Sequence, residues 1–517
     1  MLIIKDLTLT MTKDLRVLLD DFNFSLQPDM KAALIGEEGN GKSTLLKAIA
    51  EPEALQGYME IKGEIITSGE VLGYLPQVLS DAILHQSTKR YFEDRVNWED
   101  FDYSAFYRLL GEIGFPEDRI SPDLQLRQLS GGEKIKFLLL CEMIKRPTLL
   151  LLDEPSNDLD LESVQWLEGF IRDAKVPVMF VSHDELLLQR CANTIIHLEQ
   201  LMRKRKPQYT IARLSYGEYV KNRDERIVRQ TRLARKEREE YEAKMERYRR
   251  IYEKVQHGLR SVSRQAPSTA KNLKDKMHSV KAQGKRLQKE GEQLAKRPDF
   301  EESINVIFDQ DLTVPRGKVI VDLHLEPLQA GGRILSRSVS LQIAGSQKVC
   351  IVGANGAGKT TLLREVLREV AARGLNYGYM PQDYTEHMDP QQNAVEFLTR
   401  SGTKEELTTI RTYLGSMNFT AEEMYHPLTE LSGGQRAKLY FAKMILERAE
   451  VLVLDEPTRN LSPLSGPEIR AALKEFGGCI IAVSHDRKFI SEVFQEVLQL
   501  DGEGLHPVGF LSQFQDI

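Results

Sequence analysis

The chain has 517 residues, with 70 Lys+Arg against 76 Asp+Glu and a formal net charge of −6. At ~100–200 residues per domain, that length excludes a single small core, and the near-neutral balance excludes a uniformly basic nucleic-acid binder without excluding a basic segment. Hydrophobic residues at 41% with 28% charged fit a globular protein, and no apolar run approaches the ~18 residues of a membrane helix.

The opening MLIIKDLTLTMTKD reads as a first strand and not as a signal peptide. Cys141, Cys191, Cys350 and Cys479 are far apart and form no CxxC pair, so they read as buried thiols of a reducing, cytoplasmic protein. The apolar strand Lys31–Ile35 leads into GEEGNGKS at 36–43 and then a helix-forming run. This is the GxxxxGK[ST] phosphate loop in its proper context. Gly36, Gly39 and Gly41 let backbone N–H groups turn toward phosphates, and Ser43 and Thr44 open the helix whose N-terminus adds positive charge. Lys42 is placed to reach the β- and γ-phosphates, and Ser43 to hold Mg²⁺. Glu37 and Glu38 inside the loop are unexpected beside phosphate. Either they point into solvent, or they weaken this site.

Gln77 follows in YLPQ and suits a neutral bridge between metal and water. LSGG at 129–132 sets Ser130, Gly131 and Gly132 at a helix start, a second anion-binding arrangement. The apolar run at 149–152 reads as a buried parallel strand ending in Asp153 and Glu154. Asp153 suits the Mg²⁺ shell, and Glu154 suits the orientation or deprotonation of an attacking water. His183 ends the strand VPVMFV, placed to touch a γ-phosphate.

From Lys221 to Arg297 there are 24 Lys+Arg and 11 Asp+Glu in 77 residues, a net +13 that leaves −19 on the remaining 440. Tyr241, Met245, Tyr248, Tyr252 and Val255 form one a/d stripe; Leu273, Met277, Val280, Gly284, Leu287, Gly291 and Leu294 form another. Gly258 and Pro267 read as breakers, with Ser268 or Thr269 as a helix start. The segment is predicted to be an antiparallel helical hairpin with a basic tip at Arg260, Arg264, Lys271 and Lys274. Gly284 and Gly291 are positioned to admit the tyrosines of the first helix. A net charge this large and one-signed favours a polyanion, with RNA the natural candidate.

Every motif then recurs. Gly353, Gly356 and Gly358 with Lys359, Thr360 and Thr361 repeat the phosphate loop; Gln382, then Ser432, Gly433 and Gly434, then Asp455 and Glu456, then His485 repeat the rest. Gly36 to Gly353 is 317 residues and Gln77 to Gln382 is 305, but from Ser130 to His183 every offset is 302. Two homologous domains are therefore expected, at 1–215 and 301–517, joined by a hairpin at 216–300.

The LSGG element followed by the Asp-Glu strand resembles the ATP-binding cassette (ABC) ATPases. That resemblance implies ATP and Mg²⁺ as ligands and a head-to-tail sandwich within one chain, functional as a monomer. Ser130, Gly131 and Gly132 would cap ATP held at Lys359, and Ser432, Gly433 and Gly434 would cap ATP held at Lys42. Two departures stand out. No Phe, Tyr or Trp occurs between Leu7 and Leu19 or between Val319 and Ser338, where such cassettes usually stack adenine, so ATP and GTP both remain open. The loop after the second Asp-Glu-Pro ends in Ser462, where the first has Asp160, so the two sites are expected to differ in rate.

Two fused cassettes with a charged hairpin and no membrane domain look like the ABC-F family. Its members bind the ribosome near the tRNA exit site and reach toward the peptidyl-transferase centre; some are translation factors, and others protect against large-subunit antibiotics. Only 52 residues separate Gln77 from Leu129, against 49 between Gln382 and Leu431, so there is no sizeable insertion and the chain resembles the resistance group. The expected partner is the ribosome, through rRNA and tRNA at 221–297. The competing readings are the energy subunit of a transporter, which needs a membrane partner, and a DNA-structural ATPase, which usually carries longer coiled coils or zinc-binding cysteines.

Overall fold

The continuous apolar runs become buried parallel strands in the computed structural model, which describes residues 1–157, 159–201, 206–261, 267–292, 306–309 and 312–508. The described residues belong to two compact units, Met1–Tyr216 with Glu301–Ile517, and Gly217–Phe300.

In the first cassette β1 (Ile3–Met11), β2 (Val17–Ser25) and β4 (Met59–Ile66) form an antiparallel sheet in the order β2-β1-β4. A second sheet has the order β5-β6-β7-β3-β8-β9, built from β3 (Lys31–Ile35), β5 (Leu72–Leu75), β6 (Leu149–Asp153), β7 (Val178–Val181), β8 (Thr194–Gln200) and β9 (Lys206–Ala212). All its pairs are parallel except β8 with β9. Every residue of β3, β6 and β7 is buried, which is why these strands are apolar without alternation. Because β6, β7 and β3 are neighbours, their carboxyl ends bring the phosphate loop, Asp153 and His183 to one edge, where open α/β sheets bind ligands.

The second cassette repeats this with β12 (Lys348–Val352), β13 (Tyr377–Met380), β14 (Val451–Asp455), β15 (Cys479–Val483), β16 (Glu496–Leu500) and β17 (Leu505–Pro507), in the order β13-β14-β15-β12-β16-β17. Its smaller sheet pairs β10 (Val319–Leu325) with β11 (Val339–Ala344). Helices cover both large sheets: α1 (Lys42–Ala50), α2 (Gly131–Met143), α3 (Leu161–Asp173) and α4 (Glu185–Cys191) in the first cassette. Their counterparts in the second are α7 (Lys359–Ala372), α8 (Gly433–Leu446), α9 (Gly466–Glu475) and α10 (Arg487–Val493). All four cysteines are buried free thiols.

The other unit is a pair of helices, α5 (Tyr216–Ser261), 46 residues long, and α6 (Pro267–Glu292), 26 residues long. At ~1.5 Å per residue α6 spans about 39 Å. The stripes meet as their spacing predicts. A Cβ on Gly284 would lie 2.5 Å from the Tyr248 hydroxyl, and one on Gly291 2.6 Å from that of Tyr241, so each glycine is the hole for a tyrosine knob. Lys244 and Glu290 form an ion pair between the helices. One expectation fails: Gly258 does not break the first helix, which continues to Ser261. Its Cβ would sit 3.4 Å from a Leu273 methyl, so it too marks a close approach and not an end. The second helix starts at Pro267, where the missing N–H costs nothing, and not at Ser268 or Thr269. Arg264 of the tip, Leu294 of the second stripe and the basic residues Lys296 and Arg297 lie outside the described residues. Among the described residues no helix is long and apolar enough to cross a membrane.

Candidate functional site

The strand-to-helix turn after β3 needs glycine for steric reasons. Gly36 has φ 140° and a Cβ there would come 2.2 Å from the Leu198 carbonyl oxygen; Gly39 and Gly41 have φ 82° and 91°. Gly353, Gly356 and Gly358 repeat this at 156°, 80° and 102°. Each lysine is folded back over its loop. Lys42 Nζ donates to the Gly36 and Glu37 carbonyls at 2.7 and 2.9 Å, and Lys359 Nζ donates to those of Gly353 and Ala354 at 2.8 and 3.0 Å. Burial pushes the Lys359 pKa down, countered by Glu456 and Asp455.

Ser43 Oγ donates to Asp153 Oδ1 at 2.9 Å, and Thr360 Oγ1 to Asp455 Oδ2 at 2.8 Å. Asp153 Oδ2 is buried and makes no hydrogen bond. A hydroxyl and a carboxylate with an unsatisfied oxygen, at the end of a phosphate loop, are a hard-oxygen donor set of the kind Mg²⁺ takes, so the residues fit that ion. Burial pushes Asp153 up to about 6, and raises Asp455 as well.

The two glutamates both hold positive φ (49° at Glu154, 50° at Glu456), a strained position that aims each side chain off its strand end. Their surroundings differ. Glu154 accepts from Gln77 Nε2 at 2.9 Å and Asn157 Nδ2 at 2.6 Å, and lies 3.1 Å from His183 Nε2. Burial raises its pKa, but His183 and then Lys42 and Asn157 outweigh burial and hold it at about 2. Glu456 accepts the His485 backbone N–H at 3.3 Å and the Ser484 hydroxyl at 3.5 Å, with His485 Nε2 3.7 Å away. Burial and then the neighbouring Asp455 push it up to about 8. Burial, with Lys359, brings His485 down to about 4.

Each signature faces the phosphate loop of the other cassette. Ser130 and Ser432 cap α2 and α8 through reciprocal boxes with Glu133 and Gln435. Gly131 and Lys134 line a cavity of about 610 Å³ together with Lys359, Thr361, Gln382 and His485. Gly132 lies just behind, where a Cβ would strike Ser163 Oγ at 2.1 Å. On the other side the loops are in direct contact. Glu38 Oε2 accepts the Gly434 backbone N–H at 2.7 Å, and a Cβ on Gly433 would lie 2.8 Å from the same oxygen. Glu37, 8% exposed, accepts the Ser465 hydroxyl at 3.0 Å and lies 3.9 Å from Lys438 Nζ. Neither glutamate is a solvated side chain, because the facing starts of α8 and α9 offer the Gly434 N–H and the Ser465 hydroxyl as donors that water otherwise supplies.

The phosphate-loop lysines, the strand-end carboxylates, the glutamines, the histidines and the signature glycines therefore lie in two groups, each drawing on both cassettes. Three further residues belong with them. Leu335 lines the cavity near Gly358, in the stretch that lacks an aromatic, and Arg459 lines it too. Ser465 is the third, and its role as the Glu37 partner carries no motif signal. Asp160 caps α3 and its charge is felt at Lys359 and His485, so it faces the second site. At the first site its counterpart loop presents the Leu461 carbonyl to His183 Nδ1 at 2.7 Å.

The family model described as ABC transporter matches residues 19–157 and 336–459. The human ATP-binding cassette sub-family F member 3 is 30% identical over 97% of this chain and 72% of its own. The ribosome protection protein VmlR of Bacillus subtilis is 31% identical over 93% of this chain and 84% of its own. Among solved structures, the archaeal ribosome recycling factor aABCE1, in complex with the ribosomal stalk protein aP1, matches with a TM-score of 0.59. It is 16% identical and covers 98% of this chain and 90% of that one, a likeness of fold.

Proposed function

Because the chain belongs to the ABC-F family of ATP-binding cassette proteins, we propose that it is a ribosome-associated ATPase whose ATP-closed state inserts the hairpin at 221–297 toward the peptidyl-transferase region. The observation that carries this reading is the head-to-tail pairing of each phosphate loop with the opposite signature, in a chain that also holds a 46-residue and a 26-residue helix. The functional parts are the cassettes at 1–215 and 301–517 and the hairpin at 216–300. The likeness to the ribosome protection protein VmlR supports the further reading that this chain shields the large subunit from antibiotics. The protein acts as a cytoplasmic monomer, with rRNA and tRNA as the polyanions its hairpin meets.

At each site the glycine-rich loop and Lys42 or Lys359 hold the phosphates of ATP. Ser43, Gln77 and Asp153, or Thr360, Gln382 and Asp455, hold Mg²⁺, which when bound neutralises charge on the phosphate oxygens. Thr44 and Thr361 donate from the first helical turn. Glu154 and Glu456 accept the proton of the attacking water, while His183 and His485 fix the γ-phosphate. The signature N–H groups complete the anion cage, so hydrolysis removes what holds each phosphate loop against the opposite signature.

The test is cosedimentation of the Glu154→Gln/Glu456→Gln protein with ribosomes in sucrose gradients with ATP. Enrichment in the ribosomal fractions is expected. A protein that stays at the top of the gradient, and instead copurifies with a membrane protein, would overturn the reading in favour of a transporter subunit.

A further inference from the structure

The constant offset of 302 residues puts the charges where the cassettes meet into register, and the register shows an inversion of sign. Glu168 of α3 corresponds to Arg470 of α9. Glu185, which opens α4, corresponds to Arg487, which opens α10, and Arg190 corresponds to Glu492. At all three positions the cassettes carry opposite charge.

These residues meet. Arg470 binds Glu185 through Nη1 at 2.5 Å and Nη2 at 3.3 Å. Arg487 binds Glu168 through both terminal nitrogens, one of them at 3.3 Å. Both bridges run between cassettes, and equivalent positions trade places from one to the other. Within each cassette the third charge braces the first: Arg190 reaches Glu168 at 2.9 Å, and Glu492 reaches Arg470 at 2.7 Å. Lys488 adds a contact to Glu185 at 3.1 Å. Glu168, Glu185, Arg470 and Arg487 are 4%, 8%, 3% and 2% exposed, so water screens these pairs little. The backbone is shaped for one of them. A Cβ on Gly466 would lie 2.4 Å from Glu185 Oε1 and 2.7 Å from Arg470 Nη1.

We propose that this inverted set is a charge code that selects the partner of each cassette and keeps the two joined when no nucleotide lies between them. A first cassette facing another first cassette would bury Glu185 against a Glu168 already braced by its own Arg190, so the contact would add a carboxylate and no further cation. A second cassette facing another second cassette would bury Arg470 against Arg487. Only unlike cassettes neutralise each other, and discrimination comes from the cost of the wrong pairing as much as from the right one. Separate chains are thereby kept from pairing through like cassettes, and opening and closing at the nucleotide sites proceeds about a joint that does not come apart. The code is independent of the ribosome and of which site hydrolyses faster.

The test inverts the code in the full chain without nucleotide. The half-inverted protein carries Glu168→Arg, Glu185→Arg and Arg190→Glu. The fully inverted protein adds Arg470→Glu, Arg487→Glu and Glu492→Arg. The half-inverted protein is expected to lose about 5 °C or more in unfolding midpoint, to split into two transitions, and to expand in small-angle scattering. The fully inverted protein should recover most of the midpoint and the compact radius, short of the Lys488 contact. A half-inverted protein as stable and compact as the original would overturn the code. So would a fully inverted protein no better than the half-inverted one. If the half-inverted protein is insoluble, a soluble, compact fully inverted protein supports the code, and an insoluble one overturns it.

Discussion

The Glu38 carboxylate of the first phosphate loop accepts the backbone N–H of Gly434, in the signature of the opposite cassette, at 2.7 Å. It supplies negative charge at a helix start where the γ-phosphate of a sandwiched nucleotide would otherwise receive that N–H, and Glu37 adds a second carboxylate nearby, on Ser465. The second loop has Ala354 and Asn355 at these positions and faces an open cavity. On the proposed function, nucleotide at the first site has to displace these carboxylates, and nucleotide at the second does not.

Replacing Glu38 with Ala should then tighten nucleotide binding at the first site. A hydrogen bond to a charged group is worth roughly 1.5–3 kcal/mol, so its removal as a competitor corresponds to about a tenfold or greater fall in Kd. Binding of a fluorescent ATP analogue to Glu38→Ala in a Lys359→Ala background, which silences the second site, reads this directly. An affinity equal to that of Lys359→Ala alone would show that Glu38 does not compete.

The same asymmetry ranks the catalytic glutamates. The second site has the open cavity, and Asp160 faces it; the first has the Leu461 carbonyl on His183 and two carboxylates in its cage. Glu456→Gln should lower kcat at least ~100-fold, the usual scale for a general base, while Glu154→Gln lowers it less than about tenfold. Steady-state phosphate release from the two single variants decides the order, and equal losses would mean the sites turn over in concert.

Much of this was readable in advance because the backbone itself dictates the residues. A Cβ at Gly36 would lie 2.2 Å from the Leu198 carbonyl oxygen and one at Gly284 would lie 2.5 Å from the Tyr248 hydroxyl, so these glycines announce a phosphate loop and a helix contact. Asp153 and Glu154 follow from a strand buried on both faces that ends at a ligand edge. Gly258 was misleading because glycine signals close approach as readily as chain reversal, and Leu273 decided which. The Glu168–Arg487 bridge was hidden because its partners are 319 residues apart and neither carries a local motif. Only the pairing of domains reveals it, although superposing the two copies in register already exposes the change of sign. The destination of Glu37 and Glu38 was hidden for the same reason: a loop cannot advertise which helix start will face it.

The hairpin offers a test of packing against propensity. Gly284→Ala gains about 1 kcal/mol of helix propensity but forces a methyl to within 2.5–2.7 Å of the Tyr248 phenol, and overpacking of that kind costs typically 1–3 kcal/mol. The clash should win, so amide exchange across 241–252 should speed up. Gly284→Ala with Tyr248→Leu should restore protection. Slower exchange in the single variant would mean that the tyrosine swings aside.

The basic hairpin should also be legible in salt. Arg260, Lys271 and Lys274 lie at or beside its tip and are exposed. If they meet RNA phosphates, each releases roughly 0.7–0.9 of a counterion, so changing all three to Gln should reduce the slope of log K against log salt by about 2–3 and leave ATPase activity without ribosomes unchanged. Ribosome binding measured from 50 to 200 mM salt gives that slope. Deleting Gln256–Asn272 should go further and abolish any rise in the inhibitory concentration of large-subunit drugs, in a panel of macrolides, lincosamides, pleuromutilins, streptogramins and phenicols. An unaltered slope in the triple variant would place the phosphate contacts elsewhere on the protein. A full-length protein that raises none of the five inhibitory concentrations would leave ribosome association as its role and remove drug protection from it.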